Sequence, residues 1–518
     1  MSALICFTSY VSIERAESSN NFGPRLDTAR KNGPQIFNAV HNAMREFGSA
    51  FHHNGMSLFP AVVPEGVLLY HGTASREIPK SFEWVAFELE HAEAFARFIL
   101  RSQRDDLLYI TGVLHGDPPR RPPVGSPGEP TAGHLHIYQA DRPLNVLYID
   151  GMAAAKTDMG TDDSQDILLT QERQQDPWGD WQRAEKLCAL AKEWGIDGLI
   201  RMEAGFEIIY CDFTKGLRRL SANQAPGLDD AGVLRDQMMV IGAWARAASL
   251  RYNGIGSSRV ALDYSSMFSA FFYPVNLTNP DADRPELPRL LQATDEELNI
   301  MRQHVANSVK KSILRTQAAT DWQGVTDMVV SRYVKHLPLL AKADSIDILR
   351  YEVNSLLNVH IDYAVADPGL LSARYRCSEF YLRSAKVETL EDRLIRAAIE
   401  STTSTICEAL FEVRQLLVED SDAGEQSILS AREIIKALMD GLAWYEWKEC
   451  GSCEPHEFCF IAMWPWGDPE DHFNPTCRNI STIYARHDYW GLRFANFTHL
   501  YEGEATHQRK EDPETKEL

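Results

Sequence analysis

The spacing of hydrophobic positions changes near residue 221 and divides the chain into two parts. Before it, short apolar or alternating runs between glycine and proline residues predict strands with helices among them. After it, apolar residues recur at helical spacing, which predicts a mainly α-helical part. We therefore expect an α+β fold. The predicted strands are Gly66–Tyr70, Trp84–Phe87, Leu107–Leu114, His134–Gln139, Leu144–Ile149, Gly198–Arg201 and Glu207–Phe213.

Helical periodicity is clearest in four segments. The predicted helices are Pro34–Phe47, Glu90–Ser102, Trp181–Trp194 and Thr389–Val418. Two more helix starts are indicated by capping boxes, in which a Ser or Thr is followed three residues later by a Glu. These boxes are Thr294 with Glu297 and Ser430 with Glu433.

Local composition gives the expected domain boundaries. Residues 1–61 are predicted to form an N-terminal helical extension, and residues 62–220 an α+β domain. Residues 221–235 are predicted to be a linker because they are rich in Pro, Gly, Ala and Asp. A mainly helical domain with a Cys-rich C-terminal segment then covers residues 236–501, and residues 502–518 form a charged tail.

The net charge narrows the possible partners. The chain has 518 residues, with 73 acidic against 52 basic side chains and a formal charge of −21. This excess repels phosphate backbones, and we find no basic cluster, so nucleic-acid binding is not expected. No apolar stretch approaches the roughly 20 residues that a membrane-spanning helix needs, so no membrane span is expected.

The cysteines leave two interpretations open. Four of the nine lie in one C-terminal window: Cys450, Cys453, Cys459 and Cys477. They could form disulfides or hold a structural zinc ion, and disulfides are favoured because sequons begin at Asn276, Asn479 and Asn496. The first residues make a poor signal peptide, so a cytosolic and a secreted location both remain open.

Three short motifs in the first part could carry chemistry. The first is Tyr70-His71-Gly72-Thr73 at the end of a predicted strand. A histidine there can donate to a ribose hydroxyl, and a glycine allows close approach of the backbone to a ligand. The alternative is a histidine that only caps the strand end.

The second motif is Glu83-Trp84-Val85-Ala86-Phe87, followed by the helical sequence Glu90-His91-Ala92-Glu93-Ala94-Phe95-Ala96. The third is a Gly-x-Asp-Gly turn, Gly195 to Gly198, followed by a strand that contains Glu207. Taken alone, Glu207 is equally well explained as an acidic residue at a strand edge.

In this order, the three motifs resemble the ADP-ribosyltransferase-like fold. That resemblance covers residues 62–220 and implies a split β-sheet domain that binds NAD as a substrate. It implies that His71 orients ribose, that Trp84 stacks on nicotinamide in place of the usual tyrosine, and that Glu207 supports cleavage of the nicotinamide–ribose bond. Gly72, Thr73 and Phe87 would complete the NAD site, with His71 and Glu207 as the catalytic pair.

The resemblance leaves the activity open. NAD hydrolysis and transfer to a small-molecule or protein acceptor both fit, whereas Gly205 disfavours arginine modification because arginine-modifying members carry glutamate there. A non-catalytic binding or interaction protein, and a tailoring enzyme of small-molecule metabolism, are the alternatives. No Gly-x-Ser-x-Gly elbow, Walker loop or dinucleotide-binding Gly-x-Gly-x-x-Gly is present.

Two further groups are interpreted as ordinary surface residues. His134 and His136 alternate on one predicted strand, and exposed strand histidines explain them better than a metal site. The acidic residues Asp158, Asp162, Asp163 and Asp166 do not follow the calcium-loop spacing, and we expect solvated loop acids. No metal site is therefore predicted in the first part.

Overall fold

The computed structural model describes residues 22–97, 133–174, 176–225, 242–250, 254, 259–315, 320–367, 370–419, 424–483 and 486–491. It confirms the α+β class: one large mixed sheet is followed by a mainly helical part. No helix among these residues is long and apolar enough to cross a bilayer. The predicted strand Leu107–Leu114 and the charged tail lie outside the described residues.

Ten strands form the main sheet. They are β1 Asn54–Val63, β2 Leu68–Thr73, β3 Glu83–Ala86, β4 His134–Ala140, β5 Leu144–Gly151, β6 Gly198–Glu203, β7 Gly205–Tyr210, β8 Leu217–Gln224, β9 Ala261–Leu262 and β10 Phe268–Ser269. Their order is β10-β1-β5-β6-β7-β3-β2-β4-β8, with β9 also paired to β1. Among the described strands, only β5 and β6 pair in parallel. A separate antiparallel pair consists of β11 Glu457–Phe460 and β12 Thr476–Asn479.

Helices lie beside the sheet and make up most of the second part. They are α1 Leu26–Lys31, α2 Gly33–Asn42, α3 Glu46–Phe51, α4 Leu89–Arg97, α5 Asp180–Trp194, α6 Asp295–Ile313, α7 Trp322–Tyr333, α8 His336–Lys342, α9 Ile346–Leu357, α10 Leu371–Ser378, α11 Leu390–Arg414, α12 Glu425–Leu442 and α13 Pro469–Phe473. As expected, Gly195 ends α5 with a φ of 75°, in the left-handed region that glycine adopts easily.

The sheet extends beyond the expected boundaries. β1 begins at Asn54, inside the predicted N-terminal helical extension, and it pairs with β5 on one side. On its other side it pairs with β9 and β10, which come from the part predicted to be mainly helical. β8 runs to Gln224 and so takes in the first residues of the predicted linker.

The two parts of the chain also share helical packing. The N-terminal helices α1 and α2 pack against α11, and Asn38 on α2 donates to the backbone oxygen of Leu442 at 2.9 Å. The predicted single helix Pro34–Phe47 is divided into α2 and α3, with Met44 between them at a φ of 57°. This left-handed residue ends the helical path because L-side chains rarely adopt that conformation inside a helix.

One predicted capping box is present and one is not. Thr294 accepts from the Glu297 backbone, and Glu297 accepts in return from the Thr294 backbone. Ser430 lies inside α12, which begins at Glu425, so the prediction of a helix start there was wrong. The helix start is set by tertiary packing rather than by the local box.

Four disulfides cross-link the described chain. They join Cys188 to Cys211, Cys377 to Cys407, Cys450 to Cys459, and Cys453 to Cys477. The four C-terminal cysteines are thus paired as disulfides rather than arranged as a zinc site. Of the nine cysteines, Cys6 is left, and it lies outside the described residues. Such a set of bridges is typical of proteins from oxidising compartments.

The Cys188–Cys211 bridge ties α5 to the end of β7 and closes a loop with a sequence separation of 23 residues. We expect the double variant Cys188→Ser, Cys211→Ser to lose about 2–4 kcal/mol of unfolding free energy, because the unfolded chain gains conformational entropy. Urea denaturation without reductant measures this loss. Identical midpoints for the variant and the parent protein would show that the bridge contributes nothing.

A buried histidine joins the first part to the C-terminal segment. His53 donates from Nδ1 to Asn54 Oδ1 at 2.7 Å, because the Asn54 amide nitrogen already donates to two backbone oxygens. His53 Nε2 therefore accepts from the Tyr489 hydroxyl at 2.8 Å, and that hydroxyl accepts from Arg284 at 2.9 Å. Burial lowers the pKa of His53 to about 3. The network thus holds a neutral imidazole.

This lowered pKa predicts acid sensitivity. The unfolded chain binds a proton at His53 below about pH 6.5, whereas the folded chain does so only near pH 3. His53 therefore contributes stability above pH 6.5 that is lost as the pH falls. We expect the unfolding free-energy difference between the parent protein and His53→Gln to shrink by roughly 1–3 kcal/mol from pH 7 to pH 4. Urea titrations at both pH values measure it, and a constant difference would contradict the assignment.

Candidate functional site

A small cavity opens where β2 and β3 separate, with α4 as its wall. Its volume is about 20 Å³, which is room for about one water molecule and far below the roughly 300–1,000 Å³ of ordinary small-molecule sites. The lining residues are Tyr70, His71, Gly72, Glu83, Trp84, Ala86, His91, Ala92, Phe95 and Glu207. Four predicted site residues are thus brought together, namely His71, Gly72, Trp84 and Glu207.

The other two predicted site residues do not line this cavity. Thr73 ends β2, next to Gly72. Phe87 follows β3 and lines a second hollow of about 290 Å³ with Tyr70, Leu68 and Arg259. Because Tyr70 borders both hollows, they are neighbours on the same region of the sheet.

His71 lies at the point where the two strands diverge. β2 and β3 share one ladder pair, Tyr70 with Ala86, and His71 Nδ1 then contacts the Trp84 backbone oxygen at 2.7 Å. A carbonyl can only accept, so Nδ1 carries the proton and Nε2 of the neutral ring is an acceptor. In this tautomer His71 would accept a hydrogen bond from a ribose hydroxyl, whereas the sequence analysis expected it to donate one.

The strand register decides how His71 and Glu207 approach the cavity. Glu207 pairs with Ala86, and Ala86 pairs with Tyr70, so these three side chains lie in one row on one face. Side chains alternate along a strand, so the His71 imidazole starts from the opposite face, where its ring contacts Phe213. Both residues line the cavity, although the register directs their side chains to opposite faces of the sheet.

Gly72 makes this arrangement possible. A Cβ at this position would lie 2.0 Å from the backbone oxygen of Ala92 and 2.6 Å from the backbone nitrogen of Ala96. Both atoms belong to α4, so the missing side chain lets this helix lie directly on β2. The close approach that the sequence assigned to a ligand is made here by a helix.

Trp84 contributes an indole to the cavity wall. Its ring centroid lies 5.5 Å from that of Trp181 on α5 and 6.0 Å from that of Phe82. The side chain is 8% exposed, so aromatic neighbours fix its orientation. A preset indole face costs a ligand little conformational entropy when it stacks.

Glu207 is held by a buried arginine. Its Oε1 accepts from Arg201 Nε at 3.1 Å and from Nη2 at 2.7 Å. Arg201 also donates to both carboxylate oxygens of Asp180, at 2.7 and 2.9 Å. Burial raises the pKa of the Glu207 carboxyl, and the charge of Arg201 opposes this only in part. Burial would also raise the pKa of Asp180, but Arg201 and Lys156 keep it well below its ordinary value.

The ionic network continues away from the cavity. Arg183 binds Asp180, Asp162 and Asp166, while Lys156 lies 3.5 Å from Glu203. The network contains more carboxyl groups than cationic side chains, so the carboxyl groups do not all ionise together. Burial raises the pKa of Asp162 to about 8. Its members are buried: Lys156, Asp162, Asp166, Asp180, Arg183, Arg201, Glu203 and Glu207.

Two predictions about surface residues were wrong for most of their members. Asp158 is exposed as predicted, but Asp162, Asp163 and Asp166 are buried rather than solvated, because Arg183 and Arg289 from other elements bind them. His136 is fully buried rather than exposed and contacts the Tyr138 hydroxyl at 3.1 Å. Sequence spacing did not show these partners, which lie far away in the chain.

His91 adds a third group that motif reasoning missed. Its Nε2 lies 3.1 Å from Glu203 Oε1. Burial alone would lower the pKa of His91, but Glu203 raises it above its ordinary value. His91, Glu203 and Glu207 lie close enough to hold a metal ion. Arg201 and Lys156 already bind the two carboxylates, so cations of the protein supply the charge that a metal would bring.

The fold and the cavity define an α+β protein with a small, charged site on a mixed sheet. Residues 18–107 and 122–227 match the sequence family described as the YPL277C N-terminal domain. This match includes the cavity.

Two proteins of Saccharomyces cerevisiae, both named as uncharacterized, are similar to the chain. YOR389W is 26% identical over 521 residues, which cover 84% of this chain and 82% of that protein. YPL277C is 35% identical over 201 residues, which cover 35% of this chain and 41% of that protein. No solved structure matches the chain. The names of these relatives state no activity.

The Arg201–Asp180 pair can be tested by substitution. Asp180→Asn leaves Arg201 and Arg183 without their shared carboxylate in a buried place, and we expect it to cost about 3–5 kcal/mol of unfolding free energy. Asp212→Asn is the control because its pair with Lys215 is exposed and contributes less than about 1 kcal/mol. Urea denaturation measures the free energy of unfolding of both variants. Equal losses in the two variants would show that the buried network stabilises the fold no more than an exposed ion pair does.

Proposed function

We propose that the cavity binds the nicotinamide–ribose end of NAD. The protein would then cleave the bond between nicotinamide and ribose, as an ADP-ribosyltransferase-like or NAD glycohydrolase-like enzyme. One observation carries this proposal. His71, Trp84 and Glu207, which are far apart in the sequence, border a single cavity. The order of the three motifs supplies the independent reason to consider NAD.

Each residue has a role that its contacts support. The fixed indole of Trp84 offers a face for the nicotinamide ring. Nε2 of His71 accepts from a ribose hydroxyl, since Nδ1 is engaged with the Trp84 backbone. Gly72, which α4 covers, and Thr73 would lie beside the ligand at the end of β2. The cavity itself has room for little more than a water molecule, so NAD would have to widen it, and the neighbouring hollow of about 290 Å³ beside Phe87 offers further space.

Glu207 would stabilise the positive charge that develops on ribose as the bond breaks. Both hydrogen bonds from Arg201 go to Oε1. Oε2 accepts no hydrogen bond from the part of the chain that the structure describes, so it can bind a ribose hydroxyl. A carboxylate held in advance by Arg201 needs no rearrangement during the reaction, which is the basis of electrostatic catalysis.

A non-catalytic binding protein on the same fold is the second candidate. It is favoured by the same Arg201–Glu207 pair, because a neutralised carboxylate stabilises a developing cation less well. A tailoring enzyme that uses the cavity for another small molecule would share these contacts. The reaction is hydrolysis if water accepts the ADP-ribose group and transfer if another molecule accepts it.

Incubation with NAD separates these candidates. We expect the parent protein to release nicotinamide, measured by liquid chromatography, and Glu207→Gln to reduce the rate by about 100-fold or more. Asp212→Asn, far more exposed, serves as the matched control for removing a carboxylate. Calorimetry measures NAD binding by each protein.

The outcomes are distinct. NAD binding without nicotinamide release from the parent protein favours the non-catalytic candidate. If the parent protein neither binds NAD nor releases nicotinamide, the proposal is wrong.

A further inference from the structure

The sequon Asn276-Leu277-Thr278 lies on the surface, away from the cavity. It belongs to the irregular segment that connects the short helical turn Ala270–Phe272 to α6, and it is part of no helix or strand. Asn276 and Thr278 are both exposed. An N-linked glycan is bulky and hydrophilic, so its acceptor has to lie on the surface of the folded protein. The first described sequon meets this condition.

The side-chain amide of Asn276 makes only exposed contacts. Its Nδ2 donates to Oε1 of Gln292 at 2.6 Å, and its Oδ1 accepts from the Thr278 backbone nitrogen at 3.0 Å. Gln292 is exposed as well. An amide nitrogen has two hydrogens, and the described residues engage one of them. A sugar can therefore replace the other hydrogen without breaking a buried contact.

The surroundings of the sequon leave space for a recognition step and for a sugar. The Thr278 hydroxyl makes no hydrogen bond with any residue that the structure describes, so it is available to a transferase that recognises Asn-x-Ser/Thr. The three residues of the sequon line a hollow of about 580 Å³. This volume is within the roughly 300–1,000 Å³ of small-molecule sites, so the first sugar has room against the surface.

The disulfides are an independent argument for the compartment. The eight cysteines that the structure describes are all paired, in four bridges. Such bridges form and persist in oxidising compartments, of which the lumen of the endoplasmic reticulum is one. Transfer of N-linked glycans takes place in that same lumen. The bridges and the exposed sequon thus indicate the same history for the chain.

We propose that Asn276 carries an N-linked glycan. The donor is an oligosaccharide linked through diphosphate to a lipid. Nδ2 of Asn276 forms a bond to C1 of the first sugar while the bond between C1 and the diphosphate oxygen breaks. The diphosphate leaves with the electron pair of that bond, and Nδ2 loses one proton to a base of the transferase.

The second described sequon is a poorer acceptor. Asn479 is only partly exposed, and it is the last residue of β12, where it pairs with Glu457. Its Oδ1 accepts from both the backbone nitrogen and the hydroxyl of Ser481, at 3.1 and 2.7 Å. The hydroxyl of this sequon is therefore already engaged. The third sequon, at Asn496, lies outside the described residues.

The test is peptide mass spectrometry of the full chain isolated from the cells that produce it. Peptide N-glycosidase releases the glycan and converts its acceptor asparagine to aspartate, which in heavy-oxygen water takes up the heavy isotope. We expect this label at Asn276. An unlabelled and unmodified Asn276 would overturn the proposal, even if another sequon carries the label.

Two variants of Thr278 form a matched pair. Thr278→Ala removes the hydroxyl of the sequon and should abolish the glycan, as should Asn276→Gln, whereas Thr278→Ser keeps the hydroxyl and should keep the glycan. The loss is measured as faster migration on a denaturing gel. Both side chains are exposed, so circular dichroism should show the same fold for each variant. Equal migration of Thr278→Ala and Thr278→Ser would show that this sequon carries no glycan.

Discussion

The fully buried guanidinium of Arg201 is the constraint on which the site depends. A charge in this position is tolerated only where carboxylates compensate it, and Asp180 and Glu207 do so from two different elements. Asp180 begins α5 and Glu207 lies on β7, so one side chain fixes the start of a helix relative to the sheet. The position of Glu207 at the cavity is thus inseparable from the stability of the domain.

Sequence patterns predicted the strands whose signal is local. β4 and β5 were predicted within two residues, because their apolar runs are bounded by turn residues. β1 was missed because Pro60 lies within it, and β8 because its residues are mostly polar and partly exposed. β9 and β10 have two residues each, too few for any periodicity.

The site divides in the same way. The order of motifs predicted His71, Trp84 and Glu207 as site residues, and all three line one cavity. The partners of Arg201 and of the buried aspartates were invisible because only folding brings them together. Charged residues in a strand of apolar neighbours, as Arg201 and Glu203 are in β6, were the available signal.

Strands from distant segments of the chain are needed to complete the sheet. β1 comes from before residue 62 and β9 and β10 from after residue 260, so a fragment with residues 62–220 alone would leave β5 as an edge. Its unpaired backbone groups would invite pairing with other molecules. The part of the chain that contains the cavity therefore cannot be cut out at residues 62 and 220 without exposing this edge.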